Sequence, residues 1–151
     1  MDKQGDLMGI PIRMADETFI PLSPAEIWPV LADIAQYPNW WPWLLFVSLL
    51  RVNQGLTGSE YTIRPYGWRS FCCQVVSVEE PVRICLQYDG VYMGGVAEWR
   101  LEPVDDGTRV IYDMDAAVND PLVALVGKVI DLKSIHSYSM RNIFRNLKKQ
   151  L

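Results

Sequence analysis

The chain has 151 residues, of which half are apolar and 21% are charged, and its formal net charge is −4. This length and composition are typical of one domain with a sizeable hydrophobic core. The net negative charge argues against nucleic-acid binding, because domains that bind nucleic acids are usually basic.

The N-terminal region is predicted to contain an arm, a strand and a helix. Residues 1–12 are expected to form a flexible arm, and residues 13–151 a single domain. The pattern of residues 13–22 predicts the first strand. A helix follows, because Ser23 is a good N-cap, a proline occupies the first helical position, and Glu26 completes a capping box.

A short helical corner is predicted next, around the segment YPNWWPWLL at residues 37–45. Three of the six tryptophans fall here, at Trp40, Trp41 and Trp43. The prolines of this segment interrupt regular structure and therefore favour a turn of the chain.

Six further strands are predicted from alternating apolar residues, at 44–52, 60–66, 69–78, 82–89, 94–103 and 108–118. Their connections are short, and Asp105, Asp106 and Gly107 form a typical hairpin turn. Short connections between successive strands predict an antiparallel meander.

A long helix is predicted from Asn119 or Asp120 to the C-terminus. Its inner stripe has helical spacing and consists of Leu122, Val126, Val129, Lys133, His136, Met140, Ile143 and Leu147. Lys133 and His136 are the two polar members, and they lie one turn apart on the same face. The elements together predict an α+β fold in which a curved, seven-stranded antiparallel sheet packs on this helix.

The opening of the domain resembles the START-related superfamily of polyketide cyclases/dehydrases and lipid-transport proteins. The family pattern is a strand, then S-P-A-E-x-W at the start of a helix, then D-x-x-x-Y-P-x-W at its end. The matching residues are Ser23, Pro24, Ala25, Glu26, Trp28, Asp33, Tyr37, Pro38 and Trp40. The segment EWRLEPVDDGTRV at residues 98–110 resembles the family's tryptophan-bearing hairpin. The resemblance implies the helix-grip fold, in which the sheet wraps the last helix around a cavity.

This resemblance implies a ligand-binding domain, and no cofactor is predicted. The leading interpretation is a carrier or sensor for a lipid-like or aromatic polyketide-like molecule. The alternative is a polyketide aromatase/cyclase or dehydratase that uses the same cavity, and a co-chaperone-like module is a third. A cyclase needs several converging proton-transfer groups, whereas the sequence offers one histidine and no evident inward carboxylate. The balance therefore favours a protein that is not an enzyme.

The residues predicted to contact the ligand are aromatic, apolar or polar side chains of the expected inner surface. They are Trp41, Trp43, Tyr61, Tyr88, Tyr112, Met114, Lys133, His136 and Met140. Trp40 and Trp99 are expected to be core residues. The other interpretation of the two polar residues is structural: Lys133 pairs with a strand carboxylate, and a backbone carbonyl satisfies His136.

The remaining sequence features concern metals, location and partners. Three cysteines without a C-x-x-C pair and a single histidine predict no metal site and reduced thiols in a cytoplasmic protein. No signal peptide or membrane span is evident, and no nucleic-acid partner is expected. All 18 acidic residues lie at or before Asp131, and five basic residues follow it. These basic residues complement the helix dipole or make a weak contact with an anionic membrane or acidic partner.

Overall fold

The computed structural model describes residues 9–151, in which seven strands and four α-helices are connected by turns and short 3-10 segments. The first half contains β1 (Ile10–Ile20), α1 (Pro24–Leu31), α2 (Tyr37–Trp40), β2 (Ser48–Arg51), β3 (Glu60–Ile63) and β4 (Phe71–Glu79). The second half contains β5 (Arg83–Asp89), β6 (Met93–Val104), β7 (Gly107–Val118), α3 (Pro121–Val126) and α4 (Leu132–Gln150). The predicted α+β class and the two short helices after the first strand are confirmed.

The first strand begins earlier than the sequence pattern indicated. β1 starts at Ile10, so residues 10–12 belong to the sheet and not to the predicted arm. Pairing explains the difference, because Ile10 lies opposite Val118 at the end of β7. Residues 1–8 of the predicted arm lie outside the described residues.

The seven strands form one antiparallel sheet in the order β1-β7-β6-β5-β4-β3-β2. The predicted meander is confirmed for β2 to β7, and the sequence pattern did not specify that β1 pairs with β7. Gly95 in β6 lies opposite Ala116 in β7 and has a φ of +147°. A Cβ atom at Gly95 would collide with the backbone of Asp115 and Ala116. Glycine is therefore required where these two strands approach closely.

Helix α1 begins as the sequence predicts. The hydroxyl of Ser23 accepts a hydrogen bond from the backbone N–H of Glu26 at 3.2 Å, and the Glu26 carboxylate accepts from the Ser23 N–H at 3.0 Å. The two bonds satisfy backbone groups that a helix start leaves unpaired. Ile27 and Leu31 of this helix are fully buried in the core.

The predicted long C-terminal helix is confirmed as α4, but it begins at Leu132 and not at Asn119 or Asp120, because the separate short helix α3 comes first. The N–H of Gly127 closes α3 by bonding to the carbonyl of Val123 at 2.7 Å. Asp131 then caps a new helix, since its carboxylate accepts from the N–H of Lys133 at 3.1 Å and from the hydroxyl of Ser134 at 2.8 Å. Val129, an expected member of the inner stripe, is 87% exposed in the connection.

The second half of α4 anchors the helix to the sheet. Ile143, Phe144 and Leu147 are buried in the same core as the inner side chains of the strands, and the ring of Phe144 lies 6.2 Å from that of Trp99. In the first half of α4, Leu132–Tyr138, every side chain is exposed or half-buried. The core therefore fills one end of the space between sheet and helix, and a cavity remains at the other end.

Candidate functional site

A cavity of about 390 Å³ lies between the inner face of the sheet, α3 and the first half of α4. The sheet side contributes side chains that include Ile12, Ile63, Phe71, Met93 and Val118. The helical side contributes Leu122, Val126, Leu132, Ile135 and Ile143. Among the described residues that line the cavity, none is a lysine, arginine, aspartate or glutamate.

One wall of the cavity comes from the segment 64–69, which is bonded to both C-terminal helices. The hydroxyl of Tyr66 lies 2.5 Å from that of Ser139 in α4. The indole N–H of Trp68 donates to the carboxylate of Asp120 at 2.8 Å, and Arg69 donates to the same oxygen at 3.0 Å. Both Tyr66 and Trp68 line the cavity.

Asp120 joins this segment to the start of α3. It is only 3% exposed, and its second carboxylate oxygen accepts from the N–H of Leu122 at 2.9 Å, which caps the helix. One side chain therefore holds two walls of the cavity together. The sequence marked Asp120 as a helix start, but nothing in it indicated the bonds to Trp68 and Arg69.

A pair of tyrosines lies in the strand wall. The hydroxyl groups of Tyr88 in β5 and Tyr112 in β7 are hydrogen-bonded to each other, and both side chains line the cavity. Burial raises the pKa of both hydroxyls well above the usual value for tyrosine. Both groups therefore stay protonated at neutral pH.

A histidine and an aspartate meet beside the tyrosine pair. Nδ1 of His136 in α4 lies 3.3 Å from a carboxylate oxygen of Asp16 in β1, and the Asp16 side chain is 16% exposed. Neither of these two atoms has an aligned hydrogen-bond partner among the described residues. The imidazole lies nearly parallel to the ring of Tyr112, with 6.3 Å between the ring centres. His136, helped by Ser137, holds the pKa of Asp16 below its usual value.

The position of Asp16 corrects the expectation that no carboxylate faces inward. In β1 the buried residues Ile12 and Ile20 have the same parity as Asp16, so all three point to the inner face. This parity was visible in the sequence, whereas the pairing with the distant His136 was not. The structural interpretation expected a strand carboxylate to pair with Lys133. In the structure the carboxylate of Asp16 lies beside His136 instead.

Six of the nine predicted ligand residues line the cavity: Trp41, Tyr88, Tyr112, Met114, His136 and Met140. The other three lie elsewhere. Trp43 is 76% exposed and contacts Phe46, Tyr61 is buried edge-on against Tyr37 and Trp41, and Lys133 is exposed in the first turn of α4. Contact with a ligand stays a prediction for all nine.

The tryptophans at the corner have separate structural roles. Trp40 and Trp41 are buried, and Trp41 stacks on Tyr37 with ring centres 4.8 Å apart. The carbonyl of Trp40 accepts a hydrogen bond from the side chain of Asn146 in α4 at 2.8 Å. This corner therefore fixes the last helix and also supplies an aromatic wall of the cavity.

Two further observations concern membranes and metals. Within residues 9–151, no helix combines the length with the apolar character needed to cross a bilayer. In the same part of the chain, no three histidine, cysteine, aspartate or glutamate side chains come together in an arrangement that could hold a metal ion.

Comparison with known sequences gives one family. The sequence model of the family described as polyketide cyclase / dehydrase and lipid transport matches residues 11–151. Curated protein sequences give no significant match.

Solved structures with the same fold include an enzyme and a protein from a bacterium. Norcoclaurine synthase from Thalictrum flavum, in complex with dopamine and hydroxybenzaldehyde, has a TM-score of 0.69 and 11% identity over 97% of this chain and 90% of its own. A protein from Rhizobium loti has a TM-score of 0.69 and 20% identity over 95% and 99% of the two chains.

A third similar structure is a two-domain aromatase/cyclase of the steffimycin biosynthetic pathway. Its TM-score is 0.70 and its identity 12%, over 97% of this chain and 52% of that chain. This chain therefore spans about half the length of that protein. At identities this low, the three likenesses show a shared helix-grip fold.

Proposed function

Because the chain belongs to the polyketide cyclase / dehydrase and lipid transport family, we propose that it binds an apolar small molecule in the cavity beneath α3 and α4. The molecule is lipid-like or aromatic polyketide-like, and the protein acts as its carrier or sensor. The observation that supports this proposal is the cavity itself, which is lined almost wholly by carbon.

The size and lining of the cavity fit this role. Its volume of about 390 Å³ lies within the range of pockets that hold small molecules, roughly 300–1,000 Å³. Its few polar groups bond mainly to one another, as Tyr88 does to Tyr112 and Tyr66 to Ser139. Water gains few hydrogen bonds in such a space, so its replacement by an apolar molecule is favourable.

The six lining residues among the predicted set are proposed as ligand contacts. Trp41 offers a flat aromatic surface, and Met114 and Met140 offer flexible side chains that adapt to different shapes. A cavity built this way selects for size and hydrophobicity more than for a particular functional group.

A titration with 1-aminoanthracene, whose fluorescence rises in apolar surroundings, tests the proposal. We expect saturable binding of one molecule per chain. Ile135→Trp should abolish it by filling the cavity, because Ile135 lines the space. Tyr138→Trp is the matched control, since Tyr138 is 54% exposed on the same helix. Fluorescence that does not saturate, or equal binding by both variants, would contradict the proposal.

Catalysis is the second candidate function, and one observation favours it. The paired Asp16 and His136 lie beside the protonated hydroxyls of Tyr88 and Tyr112, and this set resembles a general base next to hydrogen-bond donors. A linear poly-β-ketone thioester should then cyclise faster with the protein than without it. The rate should fall to the uncatalysed value in His136→Phe if the protein is a cyclase or dehydratase.

Location and macromolecular partners stay predictions. A cytoplasmic protein with reduced thiols remains the expectation, and the three cysteines are free in the structure. A nucleic-acid partner is not expected from the net charge of −4. A weak contact with an anionic membrane stays the alternative prediction, and exposed basic residues of α4 such as Arg141 and Lys148 would make it.

A further inference from the structure

Among the described residues that line the cavity, His136 is the one titratable side chain besides the tyrosines, and its two ring nitrogens have different surroundings. Nδ1 is buried against Asp16 at 3.3 Å. Nε2 is on the opposite side of the ring and is not among the buried unpaired atoms of residues 9–151. Because His136 lines the cavity, Nε2 is the nitrogen available to a bound molecule.

The identity of the partner at Nδ1 determines what Nε2 can do. The carboxylate of Asp16 lies 3.3 Å from Nδ1 without an aligned hydrogen bond. Because an ionised carboxylate can only accept, its negative charge favours the tautomer that carries the hydrogen on Nδ1. In the neutral imidazole, Nε2 then carries a lone pair and acts as an acceptor. The ligand group opposite Nε2 must therefore be a donor.

The neighbouring tyrosines supply the complementary group. Two hydroxyls joined by one hydrogen bond use only one of their two hydrogens as a donor. Within residues 9–151, Tyr88 and Tyr112 make no other side-chain hydrogen bond, so the second hydroxyl hydrogen has no acceptor. A ligand oxygen that accepts this hydrogen would satisfy a fully buried donor. A hydroxyl group both donates and accepts, so a single ligand hydroxyl matches Nε2 and the tyrosine pair together.

Charge excludes the other common polar groups. The described lining residues contain no lysine or arginine, and Lys133 is exposed outside the cavity. The nearest charged partner of His136 is the carboxylate of Asp16. A carboxylate or phosphate ligand would enter an apolar cavity without an unpaired cation to balance it, which is unfavourable.

We propose that the ligand is an apolar aromatic or polyketide-like molecule with a weakly acidic hydroxyl, a phenol or enol, which donates a hydrogen bond to Nε2 of His136. This inference rests on the proposed function, because it names the chemical class that the cavity binds. Asp16 is a positioning residue: it acts through His136 by fixing the hydrogen on Nδ1.

Calorimetric titration of the full chain with 2-naphthol and 2-methoxynaphthalene tests whether a ligand hydroxyl donates a hydrogen bond to His136. The ether keeps the rings and the oxygen but has no hydrogen to donate. The preference for 2-naphthol should be about fivefold to tenfold larger in the wild-type protein than in His136→Phe. Comparing this preference between proteins cancels the difference in the hydration of the two probes. Tyr138→Phe, which removes an exposed hydroxyl from the same helix, should keep the wild-type preference.

The single histidine of the chain allows a second test by ¹⁵N NMR. At pH 8 the free protein should show the Nδ1–H form, with Nε2 resonating as an unprotonated nitrogen. Saturating 2-naphthol should shift Nε2, and 2-methoxynaphthalene should leave it unchanged. Asp16→Asn should weaken the preference for the Nδ1–H form and reduce the selectivity for 2-naphthol, an effect that a purely structural role of Asp16 would not produce.

The outcomes separate this inference from the proposed function. The same preference for 2-naphthol in wild type and His136→Phe, or an Nε2 resonance unchanged by 2-naphthol, would overturn the hydroxyl assignment and leave apolar binding intact. Failure of both probes to bind would overturn the proposed function and the hydroxyl assignment together. A preference for 2-naphthol that is larger in wild type than in His136→Phe, together with a shifted Nε2 signal, supports both.

Discussion

At the scale of single residues, the chemistry of the cavity depends on contacts between distant parts of the chain. His136 belongs to the last helix and Asp16 to the first strand, and each determines the electrostatic surroundings of the other. Strand parity predicts that Asp16 points inward, and helical spacing predicts the same for His136. Their contact depends on the position of α4 along the direction of β1, and no local sequence pattern specifies that position.

Asp16→Asn should lower the free energy of unfolding at neutral pH by about 1–2 kcal/mol, because the charged carboxylate loses its favourable interactions with His136 and Ser137. His136, Ser137 and Arg141 hold the pKa of Asp16 in the folded protein below its usual value. The carboxylate therefore stabilises the fold above the unfolded pKa of about 3.9. This contribution disappears as the pH falls below about 4, through the folded pKa.

Urea unfolding followed by circular dichroism at pH 7, 5, 4 and 3 measures this effect. The difference between wild type and Asp16→Asn should shrink as the pH falls below about 4. Asp115→Asn is the control, because its ion pair with Arg13 at 3.3 Å is exposed and should contribute little. A difference that stays constant over the whole range would refute a charge-dependent role.

Gly95→Ala should destabilise the protein by about 3 kcal/mol or more, because its φ of +147° is accessible essentially only to glycine and a Cβ atom would collide with the backbone of β7. Gly55→Ala separates the two causes. Its φ is +79°, but no atom lies within 4 Å of the added Cβ. Thermal unfolding should show a loss of about 1–2 kcal/mol for Gly55→Ala. Equal losses would mean that the approach of β6 and β7 is not tight.

At the scale of elements, α3 is an independent cover over part of the cavity. It has six residues, none of them buried, yet Leu122, Val123 and Val126 line the cavity. Few of its side chains hold it in place, so its attachment depends largely on Asp120.

Asp120→Ala should loosen α3 and the segment 64–69 together, because Asp120 bonds to both. Amide hydrogen exchange in these two regions should become about tenfold faster or more, and 1-aminoanthracene should dissociate faster. Asp131→Ala is the matched control: Asp131 caps α4 in the same way, but its hydrogen bonds go only to the first turn of that helix. Exchange that increases equally in both variants would show that Asp120 is only a helix cap.

The elements differ in how well the sequence predicts them, for physical reasons. The start of α1 was predictable because a capping box is local and involves residues three positions apart. Apolar spacing does not predict the break between α3 and α4, because it continues without interruption through Val126 and Val129. Gly127 and Asp131 carried the signal, since glycine ends helices and aspartate starts them.

At the scale of the whole molecule, the two C-terminal helices cover the inner face of the sheet. A chain that ends at Asp120 should lose cooperative thermal unfolding, because the inner apolar side chains lose their cover. Leu147→Ala is a milder form of the same test. Leu147 is fully buried, so the substitution should cost about 2–5 kcal/mol. A truncated chain that melts cooperatively near the full-length temperature would contradict this account of the fold.

The site as a whole was only partly predictable. Alternation along β5 and β7 identified Tyr88, Tyr112 and Met114 as cavity residues, because a sheet has two faces and only one is buried. The same rule failed to distinguish Tyr61, which is on the inner face but packs among Tyr37 and Trp41. Which inner residues meet the cavity depends on where the core stops filling the space, and that is a property of the packed molecule.

Because α3 and α4 are separate helices, the side chains that would control the release of a bound molecule differ from those that control unfolding. Displacement of α3 uncovers the cavity, whereas Ile143, Phe144 and Leu147 keep α4 on the sheet. The residence time of the ligand then depends on a local event, and the persistence of the native state depends on a different set of side chains. If the protein is the carrier or sensor proposed above, substitutions in α3 should therefore change how fast its ligand is exchanged without shortening the life of the fold.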